Sequence, residues 1–446
     1  MTTARKTGGR LPRAKVVLIS VIGLHLVAET ALTPFLPQLF QRLYGIEDPG
    51  ATGLYLWVCR IVGLAALPLW GLAARRRPLH QLVLAGLCGS AVLDLLLGLA
   101  PSYAAYTVLS TAVVATNSAL LLAYPAFIAE HRDQPADGER SRLTGICSLV
   151  VAFHLSVVVA TLVGAGVLAL PEPRIGISAF AVLDAALAVL TFRILGRDTA
   201  TSTAGPSLAD VTGPADERRS ETPVDGSPHR AGRILLLVQV ALIGLAFDFS
   251  VNVARPFFTE FSESLGGGSA GSAVLFFLPS VAALAVLPVV RRCHASLGDH
   301  LLPPALLVAA AGLGWQAIAS SLPELAGGRL LFGIGLGLGQ VAVELRTFRA
   351  TGTAGPAFTA VETARSAGLL AAPLVATAAV SRDLMLPLAV AAAVQVLATV
   401  LSLRGTRTGP APPAPPAPAE ATRRPASAGP APSTTPVPLY SEENHR

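Results

Sequence analysis

Residues 270–290 read AGSAVLFFLPSVAALAVLPVV, a run from Ala270 to Val290 without a charge, and Arg291-Arg292 closes it. A helix of that length rises about 30 Å at 1.5 Å per residue, the thickness of a bilayer's hydrocarbon core. Similar runs, bounded by charge, Gly or Pro, recur at 15–39, 52–73, 79–100, 103–129, 145–170, 175–196, 233–258, 300–320, 324–346, 356–380 and 383–403. The sequence therefore predicts an all-α membrane protein with twelve transmembrane helices in two six-helix bundles.

Composition points the same way. The 446 residues are 52% hydrophobic and only 13% charged, with a mean hydropathy of +0.60, whereas a soluble domain carries about 25% charged residues because its surface faces water. Basic residues cluster between the runs. Three of the 33 (Arg42, Arg174 and Arg382) fall in loops on one side, and Arg60, Arg255, Arg329 and Arg365 lie inside runs. The other 26 all fall on the opposite side, and cytoplasmic loops retain positive charge. Both termini are therefore expected in the cytoplasm of a plasma-membrane protein. The net charge of +6 is explained by this topology and not by nucleic acid, since no single face gathers it.

The boundaries that follow are a cytoplasmic N-terminus (1–14), a bundle (15–196), a cytoplasmic linker (197–232), a second bundle (233–404) and a Pro/Ala-rich disordered tail (405–446). The basic N-terminus resembles a signal peptide, but the segment from Val16 is too long and lacks a cleavage signature, so it is expected to stay as the first span. The chain also repeats itself. Leu64-Ala-Ala-Leu-Pro68 matches Leu284-Ala-Val-Leu-Pro288 at an offset of 220, while Pro34-Phe35 matches Pro256-Phe257 and Pro101 matches Pro323 at 222. Three matches at nearly one offset imply two related bundles around a central cavity.

With six plus six spans, both termini inside, a long central loop and a basic turn after span 2, the chain resembles the major facilitator superfamily. Gly71-Leu-Ala-Ala-Arg75-Arg76-Arg77-Pro78 keeps the Gly and the basic run of that family's loop between spans 2 and 3, with Arg75 where an Asp is usual. Gly328-Arg329-Leu-Leu-Phe-Gly333-Ile-Gly335-Leu-Gly337-Leu-Gly339 in span 10 looks like the Arg-then-Gly pattern usual in span 4, where Thr107 takes the corresponding place. Asn252-Val-Ala-Arg255-Pro-Phe-Phe-Thr, with Glu29 in span 1, resembles exporters that accompany siderophore biosynthesis. The resemblance implies a secondary transporter, a proton-coupled exporter of a small drug-like or siderophore-like compound. An importer of the same fold and a non-transporting sensor or scaffold are the alternatives.

A charge at the bilayer centre costs about 2.5–3.5 kcal/mol on insertion scales, so each one needs a partner, a wet cavity or a task. His25 and Glu29 are four apart in span 1, and Asp248, Asn252 and Arg255 lie at spacings of four and three in span 7, each set on one helical face. Glu29, Asp248 and His25 are the candidates for proton coupling. Arg255, whose planar fork matches a carboxylate, joins Asn252, His154, Tyr124 and Trp315 as candidates for binding solute. Arg60 with Asp94, Glu362 with Arg365, and Arg75, Arg76 and Arg329 are read as structural or gating pairs, while Asp184 has no evident partner and Glu344 with Arg346 could gate or be solvated. The Gly run lacks a preceding strand and a Lys-Ser/Thr pair, so close helix packing explains it better than nucleotide binding. Cys59, Cys88, Cys147 and Cys293 are scattered and read as core residues. No metal or cofactor is expected, no nucleophile, base and oxyanion donor come together as an enzyme would need, and the chain is expected to act as a monomer with solute, coupling ion and lipid as its partners.

Overall fold

The computed structural model of the chain describes residues 23–25, 27–74, 76–77, 79–121, 138–198, 228–352 and 355–405. Arg75, Tyr124, most of the 197–232 linker and the tail lie outside the described residues. Helical turns at 23–25 and 27–31 are followed by α1 (Leu36–Tyr44), α2 (Pro49–Ala74), α3 (Leu79–Gly98), α4 (Tyr103–Leu121), α5 (Gly138–Ala169) and α6 (Pro173–Asp198). Then come α7 (Pro228–Val253), α8 (Phe258–Ser264), α9 (Ser269–Leu297), α10 (Leu302–Ala317), α11 (Leu322–Thr351), α12 (Pro356–Val380) and α13 (Leu386–Gly405). Among the described residues nine helices are long and apolar enough to cross a membrane, and α10 is a shorter apolar one. Leu69, Val108, Val182 and Leu235 are each about 70% exposed on helix flanks. In water such a surface would aggregate; against lipid it is the favoured one.

The first span is not the continuous helix expected over 15–39. It breaks in a 3-10 turn at Thr33–Phe35, where Pro34 has no amide to donate and its ring collides with the carbonyl four residues back. The span expected over 233–258 breaks likewise: α7 stops at Val253, residues 254–257 include Pro256, and α8 resumes at Phe258. The sequence repeat thus reappears as repeated backbone, since Phe35 (φ −113°, ψ 10°) and Phe257 (φ −114°, ψ 11°) share one conformation ahead of their short helices. The two breaks also touch. The Thr259 hydroxyl donates to the Pro34 carbonyl at 2.8 Å and accepts from Gln38 Nε2 at 3.0 Å.

At the same end α2 packs on α12 so closely that a Cβ on Gly53 would overlap the Thr377 side chain. At the other end of the bundle, Leu143, Ile146 and Val150 of α5 cluster with Leu287 and Val290 of α9 and with Val341 and Leu345 of α11. There Arg291 also donates to Thr144 Oγ1 at 3.1 Å. The glycines of α11 serve packing: a Cβ on Gly333 would stand 2.5 Å from the Pro279 carbonyl, one on Gly337 would crowd Ala283, and one on Gly335 would run into Ala309 of α10. Small side chains let these backbones approach where no hydrophobic effect drives helices together in lipid.

Candidate functional site

Three groups of ionisable side chains lie between the helices. The first surrounds Arg365 of α12. Its Nε donates to Asp248 Oδ2 at 2.7 Å and its NH2 group to Asp248 Oδ1 at 3.3 Å, a forked contact with α7. The same guanidinium donates to Glu344 Oε1 of α11 at 2.9 Å and to Glu362 Oε1, one turn back on α12, at 2.8 Å. Gly244 makes room for the arm, because a Cβ there would meet Arg365 Cδ at 2.8 Å. One cation therefore answers three carboxylates. With all four ionised, two negative charges remain without a counter-charge in a setting where that is costly.

The second group is buried between span 1, α3 and α6. His25 Nδ1 lies 3.2 Å from Asp184 Oδ1, and both residues are under 5% exposed. Asp94 of α3, also buried, reaches the same Asp184 carboxyl. His25 Nε2 and Asp184 Oδ2 find no hydrogen-bond partner among the described residues. The ion pair expected between Arg60 and Asp94 does not form: Asp94 turns inward to Asp184, while Arg60 is exposed and reaches across to Asn252 Oδ1 of α7 at 3.5 Å. Asp184, which had no evident partner, has His25. Glu29, one turn on from His25, stays exposed, so His25 and Glu29 share a face without pairing.

The third group is a narrow cleft between α5, α7, α9 and α11, whose cavity volume of about 20 Å³ admits little more than one water-sized group. Arg255, Arg329, Phe276, Phe332 and Ser280 line it. Arg329 is 4% exposed and is held by carbonyls: Nε donates to Leu275 O at 2.9 Å and NH2 to Phe276 O at 2.7 Å. Leu275 O is available because its helical partner would be the amide of Pro279, which has none. The Arg329 guanidinium also sits 3.8 Å over the Phe258 ring of α8. Arg255, in the break after α7, stands over the Phe153 ring at 5.8 Å. His154 of α5 is fully buried, with Nδ1 3.2 Å from Ser280 Oγ and Nε2 3.1 Å from Gln340 Oε1, so it ties α5 to α9 and α11 beside the cleft.

Apart from Glu344, the other candidates lie outside these groups. Asn252 spends its amide on the Asp248 carbonyl at 2.7 Å. Trp315 does not line the cleft: it is 43% exposed on α10, with its ring against Gly327. Arg76 is exposed in the turn after α2. Glu344 acts in the first group through Arg365. No metal-binding group of three or more His, Cys, Asp or Glu occurs among the described residues. Outside the spans, Glu260 of α8 is held by burial, with repulsion from Glu263 adding to it, at a pKa pushed up to about 7.

Superposition on solved structures decides the fold. The crystal structure of a variant of the nucleoside transporter NupG matches over 88% of this chain and 99% of that one, with a TM-score of 0.60 at 12% sequence identity. The chain has the major facilitator fold. It is a multi-span helical membrane protein, and at this identity the likeness to NupG extends to the fold and no further. No family model and no curated protein sequence matches the chain.

Proposed function

We propose that the protein is a proton-coupled secondary transporter of a small organic solute in the plasma membrane, with both termini cytoplasmic. In this reading the bundles at 15–196 and 233–404, joined by the 197–232 linker, rock about a central site. The observation that carries it is the meeting of Asp248, Glu344 and Glu362 on the single cation Arg365 at the junction of α7, α11 and α12. Three carboxylates around one guanidinium favour uptake of a proton, and a proton on Asp248 weakens the fork that ties α7 to α12. Loading and release of that proton then bias which arrangement of the helices is stable. The buried His25–Asp184–Asp94 group supplies a second place for a proton in the other half. The 26 of 33 basic residues that fall on one side of the spans support the orientation.

Export is the direction that the sequence resemblance favours. Purified protein in proteoliposomes, given an imposed pH gradient and a panel of radiolabelled small organic solutes, tests both points. Wild type accumulates solute against its gradient, and Asp248→Asn keeps downhill exchange but loses accumulation. Gradient-driven transport unchanged in Asp248→Asn would remove the cluster from the coupling. Solute that follows an inward proton gradient into the vesicles would make the protein an importer.

A further inference from the structure

Resting on the transporter reading, we infer that the solute is an organic anion with a flat apolar body, and that the cleft between α5, α7, α9 and α11 is where its charged end binds.

Arg255 and Arg329 line one small cleft, and neither has a carboxylate within salt-bridge distance among the described residues. Arg60 adds a third positive charge nearby through its contact with Asn252, three residues before Arg255. The hydrogen bonds of Arg329 end on carbonyl oxygens and on Gln316 Oε1 at 3.4 Å, groups that satisfy its N–H donors without cancelling its charge. The Arg255 side chain makes no hydrogen bond among the described residues and touches an aromatic face. Buried cations that persist without an acid are expensive, whereas the Arg365 cluster shows that this chain places acids against a guanidinium elsewhere. The uncompensated charge therefore suits an anion, since the planar forks match carboxylate, phosphonate or sulfonate oxygens. Phe276, Phe332 and Val157 are among its apolar lining, and Ser280, 3.2 Å from His154 Nδ1, is its uncharged polar side chain. Apolar walls with a few convergent polar groups suit a ring-bearing body. A neutral solute would leave both guanidinium groups unanswered.

Equilibrium binding to the detergent-purified full chain tests this with four probes of one shape: benzoate, phenylphosphonate, benzamide and benzylamine. The two anions should bind at least tenfold more tightly than the amide, and the cation not at all. Arg255→Gln should erase that preference and Arg255→Lys should restore most of it. Because Arg329 also joins α9 to α11, Arg255 is the safer position to alter, and unchanged melting of both variants shows that they fold. Equal binding of benzoate and benzamide, no binding of any anion, or an anion preference that survives Arg255→Gln would each overturn the assignment. A lipid headgroup offers the same oxygen chemistry, so the titration is repeated in phosphatidylcholine and phosphatidylglycerol nanodiscs. Benzoate binding in both supports a solute site, and its abolition by phosphatidylglycerol alone overturns it. Binding is read without a proton gradient, so failure here leaves proton-driven transport standing, and failure of coupling leaves the binding result intact.

Discussion

Two arginine sites, drawn from α7 with the break that follows it and from α11, treat charge in opposite ways. Around Arg365, α7 contributes Asp248 and α11 contributes Glu344, so the guanidinium is surrounded by acids. Seven residues further along the chain, in the break after α7, Arg255 faces a cleft with Arg329 of α11 and no acid among the described lining residues. The acid-rich site sets three carboxylates against one guanidinium. The acid-free site leaves its guanidinium groups without a counter-charge among the described residues.

The largest effect should come from the acid-rich side. Arg365→Leu strands three carboxylates at membrane depth, and removing one partner of a buried ion group costs about 3–5 kcal/mol. The variant should melt well below wild type, and Asp248→Asn added to it should recover part of the loss; equal melting of wild type and Arg365→Leu would break the comparison. The next test concerns Glu260, beside Phe258 whose ring covers Arg329. Its folded pKa of about 7 lies above the usual 4.5, so its contribution to stability is complete below about 4.5 and is lost as pH rises to about 7. Glu260→Gln should therefore gain over wild type as pH climbs through that window and hold a constant advantage above it, read as the difference in Tm across a pH series. A smaller change, about 1 kcal/mol, is expected from Gln38→Leu, which deletes the 3.0 Å bond to Thr259 between the two proline breaks. It should raise labelling of a cysteine introduced beneath that contact more than it lowers Tm. The smallest is Arg255→Met: a cation without an acid partner is lost, so stability should stay within about 0.5 kcal/mol of wild type or rise. A loss as large as that of Arg365→Leu would show that the two sites do not differ as described.

The fold was legible because lipid writes on long stretches of sequence: a run such as 270–290 reports its surroundings by length alone, and α9 spans Ser269–Leu297. The break positions were legible only as a repeat. Pro34-Phe35 and Pro256-Phe257 announced related halves, but nothing in the sequence said that both dipeptides would stop a helix, since a helix can run on through a proline, as α2 does through Pro68. Partners on one helix followed from spacing, and Glu362 with Arg365 is the example. Partners on different helices did not. His25 and Asp184 are 159 residues apart, and Asp248 and Arg365 117, and spacing fixes a side chain's face but not which neighbour that face meets. Arg60 misled for the same reason: Asp94 was the one acid in the following span, but it lies beside Asp184. Trp315 misled because aromatics suit a lipid-facing surface as well as a pocket.

The proline at 279 has a consequence for how quickly a charged guest could settle. By withholding one amide it leaves the Leu275 carbonyl to grip Arg329, and the grip fixes the guanidinium plane without dimming its field. A dipolar environment already set in place has little reorientation left to undergo when an opposite charge enters. An ordinary amide-bearing residue there would give the Leu275 carbonyl its helical partner and leave the arginine to rest on the Phe276 carbonyl and the Phe258 ring.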